Sequence, residues 1–212
     1  MGIVERKERE REEMRRRILE AARELFMTEG YERVTMRRIA EAIEYSATTI
    51  YNHFEDKDDL VLALCQEDFA RLFQHLQQQP PPADPVEGIR QLGLAYARFG
   101  TSYPNQYRFM FMTPAKLEHP EDHATSPGEQ AFGLLRQAVE TAIASGHFRP
   151  GDVDTIAQVL WASMHGAVAL LITLQPQHWP HAPARPDLVA QVVDACIRGF
   201  AAAPRSTSGR GH

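Results

Sequence analysis

Two short helical candidates separated by three residues lie between Thr35 and His53, and their side chains are of the kinds that grip a polyanion. Thr35, Arg37 and Arg38 open the first, where backbone N–H groups and cations together favour a phosphate. Ser46 caps the second, and Ala47, Thr48, Thr49, Tyr51, Asn52 and His53 take its exposed positions. Short or hydrogen-bonding side chains there suit contacts to phosphates and base edges. Ile39, Ala40, Ile43 and Ile50 fill the positions between the two helices. This is the geometry of a helix-turn-helix, whose second helix can enter a DNA major groove.

Other chemistry finds no support. No Ser/His/Asp or Cys/His arrangement has workable spacing, and there is no glycine-rich phosphate loop, so an enzyme is not expected. Cys65 and Cys196 are too few and too far apart for a disulfide framework or a zinc site. His119, Glu121, Asp122 and His123 sit among prolines and read as a solvated loop, as do His178 and His181. No metal and no cofactor are expected.

The elements that must position these residues are helical throughout. The 212 residues, 43% hydrophobic and 24% charged, describe an ordinary globular chain. Met14, Ile18, Ala21, Ala22 and Leu25 mark one helical face that Gly30 ends. Upstream, Glu/Arg pairs four apart can keep a charged extension helical, with fraying at its start. Asp56 caps a helix running to about Gln77, and Gln77 to Pro85 forms a stiff proline-rich loop. Ile89, Leu92, Tyr96 and Phe99 mark a further helix, and Pro104 opens a short one through Met112. Thr113 to Thr125 reads as a mobile loop. Ser126-Pro127-Gly128-Glu129 is a capping box whose helix Gly146 closes. Helices starting at Asp152 and Pro186 complete an all-α fold of about nine helices. The apolar run Trp161 to Leu174 is shorter than a membrane span and reads as a buried helix. The domains expected are 1–56, a helix-turn-helix head with a charged extension over 1–13; 57–203, a helical ligand-binding and dimerisation domain; and 204–212, a disordered tail.

Gly30-Tyr31 followed by Thr35, the Ile39-Ala40 pair, Tyr51-Asn52-His53-Phe54 and Lys57-Asp58-Asp59-Leu60 together resemble the TetR family of transcriptional regulators. The resemblance implies a three-helix DNA-binding head, a connecting fourth helix and a divergent helical domain that binds a ligand and dimerises. It also implies that Tyr51, His53 and Lys57 anchor the DNA backbone, with Thr35 and Arg37 contacting phosphates from the other flank. Geometry offers Thr48, Thr49 and Asn52 as readers of base edges. Two departures stand out. Glu44 occupies a turn position where the family usually has glycine, and Ala47-Thr48 replaces the common Lys-Gly.

Trp161-x-x-x-His165-Gly166, with Tyr103-Pro104 and Tyr107 to Phe111 upstream, resembles the C-terminal domain of one subgroup of that family. Tyr96, Phe99, Tyr103, Phe109, Met112, Trp161 and His165 either surround a ligand cavity or form an aromatic-rich core. Leu170, Leu174, Val189, Val192, Val193, Cys196 and Phe200 give the last two helices more apolar surface than a peripheral pair should carry. A two-fold four-helix interface between copies would cover it, as would the chain's own core.

The function expected is a ligand-responsive regulator, most often a repressor, that binds a palindromic double-stranded DNA operator as a homodimer and is released by a small-molecule effector. The alternative is a helical small-molecule-binding or adaptor protein with a vestigial DNA head. The net charge of -5 favours the alternative, and so does the balance of 12 Lys or Arg against 15 Asp or Glu in residues 1–60. The locally positive stretch from Arg15 to Arg38 favours the first. The charged start is not a secretory signal and no membrane partner is expected, so the location is cytoplasmic.

Overall fold

A computed structural model describes residues 2–79, 83–112, 126–174, 179 and 185–203. Among these, nine α-helices and a single 3-10 turn, Tyr31–Arg33, make up the regular structure. In chain order the helices are α1 (Ile3–Glu29), α2 (Met36–Ala42), α3 (Ala47–Tyr51), α4 (Lys57–Gln77), α5 (Pro85–Ser102), α6 (Pro104–Met112), α7 (Pro127–Ala144), α8 (Val153–Thr173) and α9 (Arg185–Phe200). The one β feature among the described residues is an isolated antiparallel bridge between Phe148 and Ala201.

Local chemistry sets many of the boundaries. Thr35 accepts the Arg38 N–H, Ser46 the Thr49 N–H, Asp84 the Val86 N–H and Asp152 the Thr155 N–H, so four helices begin on a side-chain cap. Asp56 likewise accepts the Asp59 N–H at 2.8 Å as α4 starts. Gly30 and Gly146 take positive φ of 84° and 76° where α1 and α7 end, a conformation costly for a side chain. The charged start of the chain is helical from Ile3 onward.

Packing divides the chain into two units, with the division inside α4. The first comprises Met1–Phe69 and Asn105–Ser126. Its core is built from Ile18, Ala22, Val34, Ile39, Ile50, Phe54, Leu60, Val61 and Leu64, each almost wholly removed from water. Asp68 is fully buried against this face of α4 and accepts from Arg23 of α1 at 2.6 Å, a pair 45 residues apart in sequence. Phe109 of α6 stacks on Phe26 of α1 at 5.5 Å, and Phe111 meets Phe69 edge-on at 5.4 Å. Beside these rings a half-open cleft of about 380 Å³ separates α1 and α4 from α6.

The second unit, Ala70–Pro104 and Pro127–His212, packs α5 against α7, α8 and α9. Gly93 allows the close approach: a Cβ built there would lie 2.6 Å from Met164 Sδ and 2.9 Å from Val193 Cγ2. At 21 residues, α8 is longer than the apolar run counted from the sequence and has the length and hydropathy of a membrane span. Ile156, Ala157, Leu160, Met164, Ala167, Val168 and Leu171 are nonetheless buried, and α5, α7 and α9 pack against the helix, as in a core helix of a globular unit.

Two buried residues correct the expected interface. Val189 and Val193 are 2% and 0% exposed within this chain, because α9 turns them onto α5 and α8. Leu170 and Leu174 remain exposed, and Val192, Cys196 and Phe200 are half-buried. His119, Glu121, Asp122, His123, His178 and His181, read from the sequence as solvated loop, together with the loop 113–125 and the tail 204–212, lie outside the described residues.

Candidate nucleic-acid interface

The turn between α2 and α3 is a Schellman motif. The Tyr45 N–H donates to the Ala40 carbonyl at 3.0 Å and the Glu44 N–H to the Glu41 carbonyl at 3.2 Å. That pattern puts residue 44 in the left-handed region, and Glu44 has φ of 61°, the one non-glycine residue with positive φ among those described. The turn keeps the helix-turn-helix shape at a cost of roughly 1–2 kcal/mol in backbone strain.

Below the turn, Ile39 and Ile50 are fully buried and Phe54 nearly so, which holds α3 against the head by its inner face. Thr48, Tyr51 and Asn52 are then left at the surface, Tyr51 with 54% of its area exposed. Ala47, Thr49 and His53 are half-buried. The Thr49 hydroxyl lies 3.1 Å from Ser46 Oγ in the cap network, so it meets an outside partner less freely than Thr48. Tyr45 is 41% exposed with the Arg17 guanidinium over its ring.

Charges around the site are mostly committed within the head. Thr35 is exposed at the start of α2, and Arg37 pairs with Glu41 on the same exposed face. Arg38 makes two hydrogen bonds to Glu29 Oε1. Lys57, expected as a backbone anchor, turns inward: its ammonium donates to the Tyr31 carbonyl and lies 3.8 Å from the Tyr31 ring centroid. The Tyr31 hydroxyl donates to Asp58 at 2.9 Å, and burial with that carboxylate pushes its pKa up to about 12. Burial holds the His53 pKa below its ordinary value, with the charges of Arg11 and Arg15 adding to the effect. Arg15 donates to the His53 carbonyl at 3.3 Å and covers Phe54 at 4.3 Å. Neither arginine was among the sequence candidates; their fourfold spacing is the signal that could have found them.

The aromatic candidates separate between the two units. In the second, Tyr96 Oη and His165 Nδ1 are 3.1 Å apart, Trp161 lies 5.3 Å from the His165 ring, and Phe99 lies 5.3 Å from Tyr103. Tyr103 is half exposed. Burial lowers the His165 pKa, which keeps the ring neutral at pH 7. Phe109 and Met112 line the cleft of the first unit instead, because Phe26 provides the stacking partner for α6. Sequence reasoning missed Phe132, edge-on to Trp161 at 6.5 Å. It also missed His75 and Gln91, whose Nε2 and Oε1 atoms are buried without a hydrogen-bond partner. Polar residues on apolar faces, such as His75 beside Leu72 and Leu76, were the available sign. Burial pushes the Cys65 thiol up to about 12, which makes it an inert packing residue.

Comparison with known proteins agrees with this geometry. Residues 18–64 match the family described as bacterial regulatory proteins, tetR family, and residues 89–202, more than half of the chain, match the tetracyclin repressor-like C-terminal domain. The second match is to that domain as a whole and leaves the Trp-x-x-x-His-Gly comparison a local one. The HTH-type transcriptional repressor AcnR of Corynebacterium glutamicum is 50% identical over 126 residues, 59% of this chain and 58% of that protein. AcnR of Corynebacterium diphtheriae is 48% identical over 58 residues, 27% of this chain and 30% of that protein. The chain therefore matches between about three tenths and three fifths of the length of these curated relatives. The TetR family transcriptional regulator PfmR from Thermus thermophilus shares the fold, with a TM-score of 0.65 at 22% identity over 85% of this chain and 97% of that one. With a helix-turn-helix matched at one end and a C-terminal domain model matched over most of the rest, the chain belongs to the TetR family of bacterial regulatory proteins.

Proposed function

We propose that the protein is a cytoplasmic transcriptional repressor that binds a palindromic operator as a homodimer and is released by a small-molecule effector. The observation that carries this reading is α3: a five-residue helix capped by Ser46, clamped from beneath by Ile50 and Phe54, with Thr48, Tyr51 and Asn52 exposed in one row. So short a helix adds little core, and its outer side chains can reach phosphates and base edges. Residues 1–56 act as the DNA-binding domain, and residues 57–203 bind the effector and dimerise. Leu170, Leu174, Val192, Cys196 and Phe200 supply the interface from apolar surface left by the chain's own core. A dimer of this kind presents two copies of α3 to successive major grooves roughly 34–36 Å apart. Tyr96, Phe99, Trp161 and His165 contact the effector.

The test is the double substitution Tyr51→Ala with His53→Ala, which removes the exposed Tyr51 ring and the half-buried His53 ring and keeps the His53 carbonyl that Arg15 uses. Binding to a fragment selected by the wild-type protein disappears while the dimer persists. Unchanged affinity would remove Tyr51 and His53 from the interface. Absence of saturable binding by the wild type at low salt would favour the adaptor reading.

A further inference from the structure

The outer turns of α1 present a line of cations in register with the recognition side of the head. Val4 to Glu13 are exposed, and the first fully buried residue of the helix is Ile18. Lys7, Arg11 and Arg15 stand four apart, so they lie along one face and span about 12 Å. Ile18 and Ala22, which continue the same face, are buried in the head core. The cations therefore continue, beyond the packed part of α1, the helix face that Ile18 and Ala22 bury in the head. The inner end of the line is fixed on the page: Arg15 donates to the His53 carbonyl at 3.3 Å and lies over the Phe54 ring. Arg11 is close enough for its charge to act on His53. The opposite face carries Arg6, paired with Glu10 at 3.5 Å, and Arg9. Glu8 and Glu12, the carboxylates nearest in register, fall on the flank of the line. Among the described residues neither Lys7 nor Arg11 is held in an ion pair.

We propose that Lys7, Arg11 and Arg15 form a second DNA contact, in which the N-terminal part of α1 lies along the phosphate backbone just outside the half-site read by α3. The inference rests on the DNA-binding reading above. Its ligand is the duplex backbone, chosen because the line is cationic, carries no base-reading amide, and begins at a residue of the recognition segment. The contact lengthens the footprint of each head and adds affinity independent of sequence.

The experiment uses the full-length protein and a duplex selected from a random-sequence library by the wild type. Failure of the wild type to select any duplex would end the DNA-binding reading itself. Given a selected duplex, Lys7→Gln with Arg11→Gln removes two exposed charges without touching the Arg15 contacts. The plot of log affinity against log salt becomes shallower by about 3.6, since the dimer loses four phosphate contacts and each contributes roughly 0.9. Hydroxyl-radical protection also recedes from the outer edge of each half-site. Arg6→Gln with Arg9→Gln makes the same change in charge on the opposite face and leaves both slope and protection as in the wild type. An unchanged slope in the Lys7/Arg11 variant, or equal losses in the two variants, would overturn the contact while leaving α3 as the reader. Far-ultraviolet circular dichroism equal to wild type establishes that α1 is intact.

Discussion

Substituting Glu44 by glycine should stabilise the protein, and the turn geometry sets how much. With φ at 61°, Glu44 bears the left-handed penalty of roughly 1–2 kcal/mol for a residue with a side chain. Glycine removes that penalty but returns roughly 0.5–1 kcal/mol through greater freedom of the unfolded chain. The net gain is about 0.5–1 kcal/mol, because the bonds from Glu44 and Tyr45 to Glu41 and Ala40 use backbone atoms that every substitution keeps. For a chain of this length it raises the thermal midpoint by about 1–4 °C. Glu44→Ala serves as the control: it removes the carboxylate and keeps the Cβ, so its midpoint stays with wild type. Glu44→Asn recovers part of the gain, since asparagine tolerates the left-handed region. Thermal and urea unfolding of the four proteins decide the matter. If alanine stabilised as much as glycine, local charge and not backbone strain would be the cause; if glycine destabilised, the turn would not be strained at all.

Three other substitutions test the second unit. Gly93→Ala should destabilise by roughly 1–2 kcal/mol in urea unfolding, as overpacking against Val193 outweighs the better helix propensity of alanine. Val193→Ala in the same chain makes room, so the double variant loses less than the two single losses added together. His165 gives a pH dependence of fixed sign. Burial depresses its folded-state pKa, so the unfolded chain binds the proton more tightly, and stability present above about pH 6.5 is lost as pH falls toward the folded value. The difference between wild type and His165→Gln isolates this effect from His53, which is depressed in the same direction; a difference that did not change between pH 8 and 5 would refute it.

What the sequence disclosed was chiefly what is decided locally. Thr35, Ser46 and Asp152 could be named as caps because the bond each makes reaches only three residues along the chain. Glu44 was legible through the family resemblance, which places glycine at that turn position, and the turn does hold it at positive φ. Long-range choices were not legible. An apolar stripe shows that a helix face is covered and not by what, so Val189 and Val193 looked like an interface until α5 and α8 were seen to bury them. Phe109 was grouped with Tyr96 and Trp161 as one of several aromatics in the same half of the chain, whereas its partner Phe26 lies in α1. The Arg23–Asp68 pair joins α1 to α4 with no sequence pattern to announce it.

The acidic balance, which weighed against DNA at the level of composition, acquires a different meaning once the partners of individual charges are seen. Asp68 and Glu67 engage Arg23, Glu29 engages Arg38, Glu41 engages Arg37, and Asp58 accepts from Tyr31. These carboxylates hold the head together or neutralise cations on its surface, so their count says little about the field at α3. Screening strengthens the point: at about 0.15 M salt the Debye length is about 8 Å, so a phosphate beside Lys7 or Arg11 responds to charges within a turn or two of helix and hardly to the total of -5. A duplex-binding face on an acidic protein then requires only that nearby cations escape internal pairing. Lys7 and Arg11 meet that condition on α1, while Arg37 meets it only by giving up Glu41. Raising salt should for this reason weaken binding through the few contacts on α1 and α2 and leave the head's internal pair at Asp68, shielded by burial, in place.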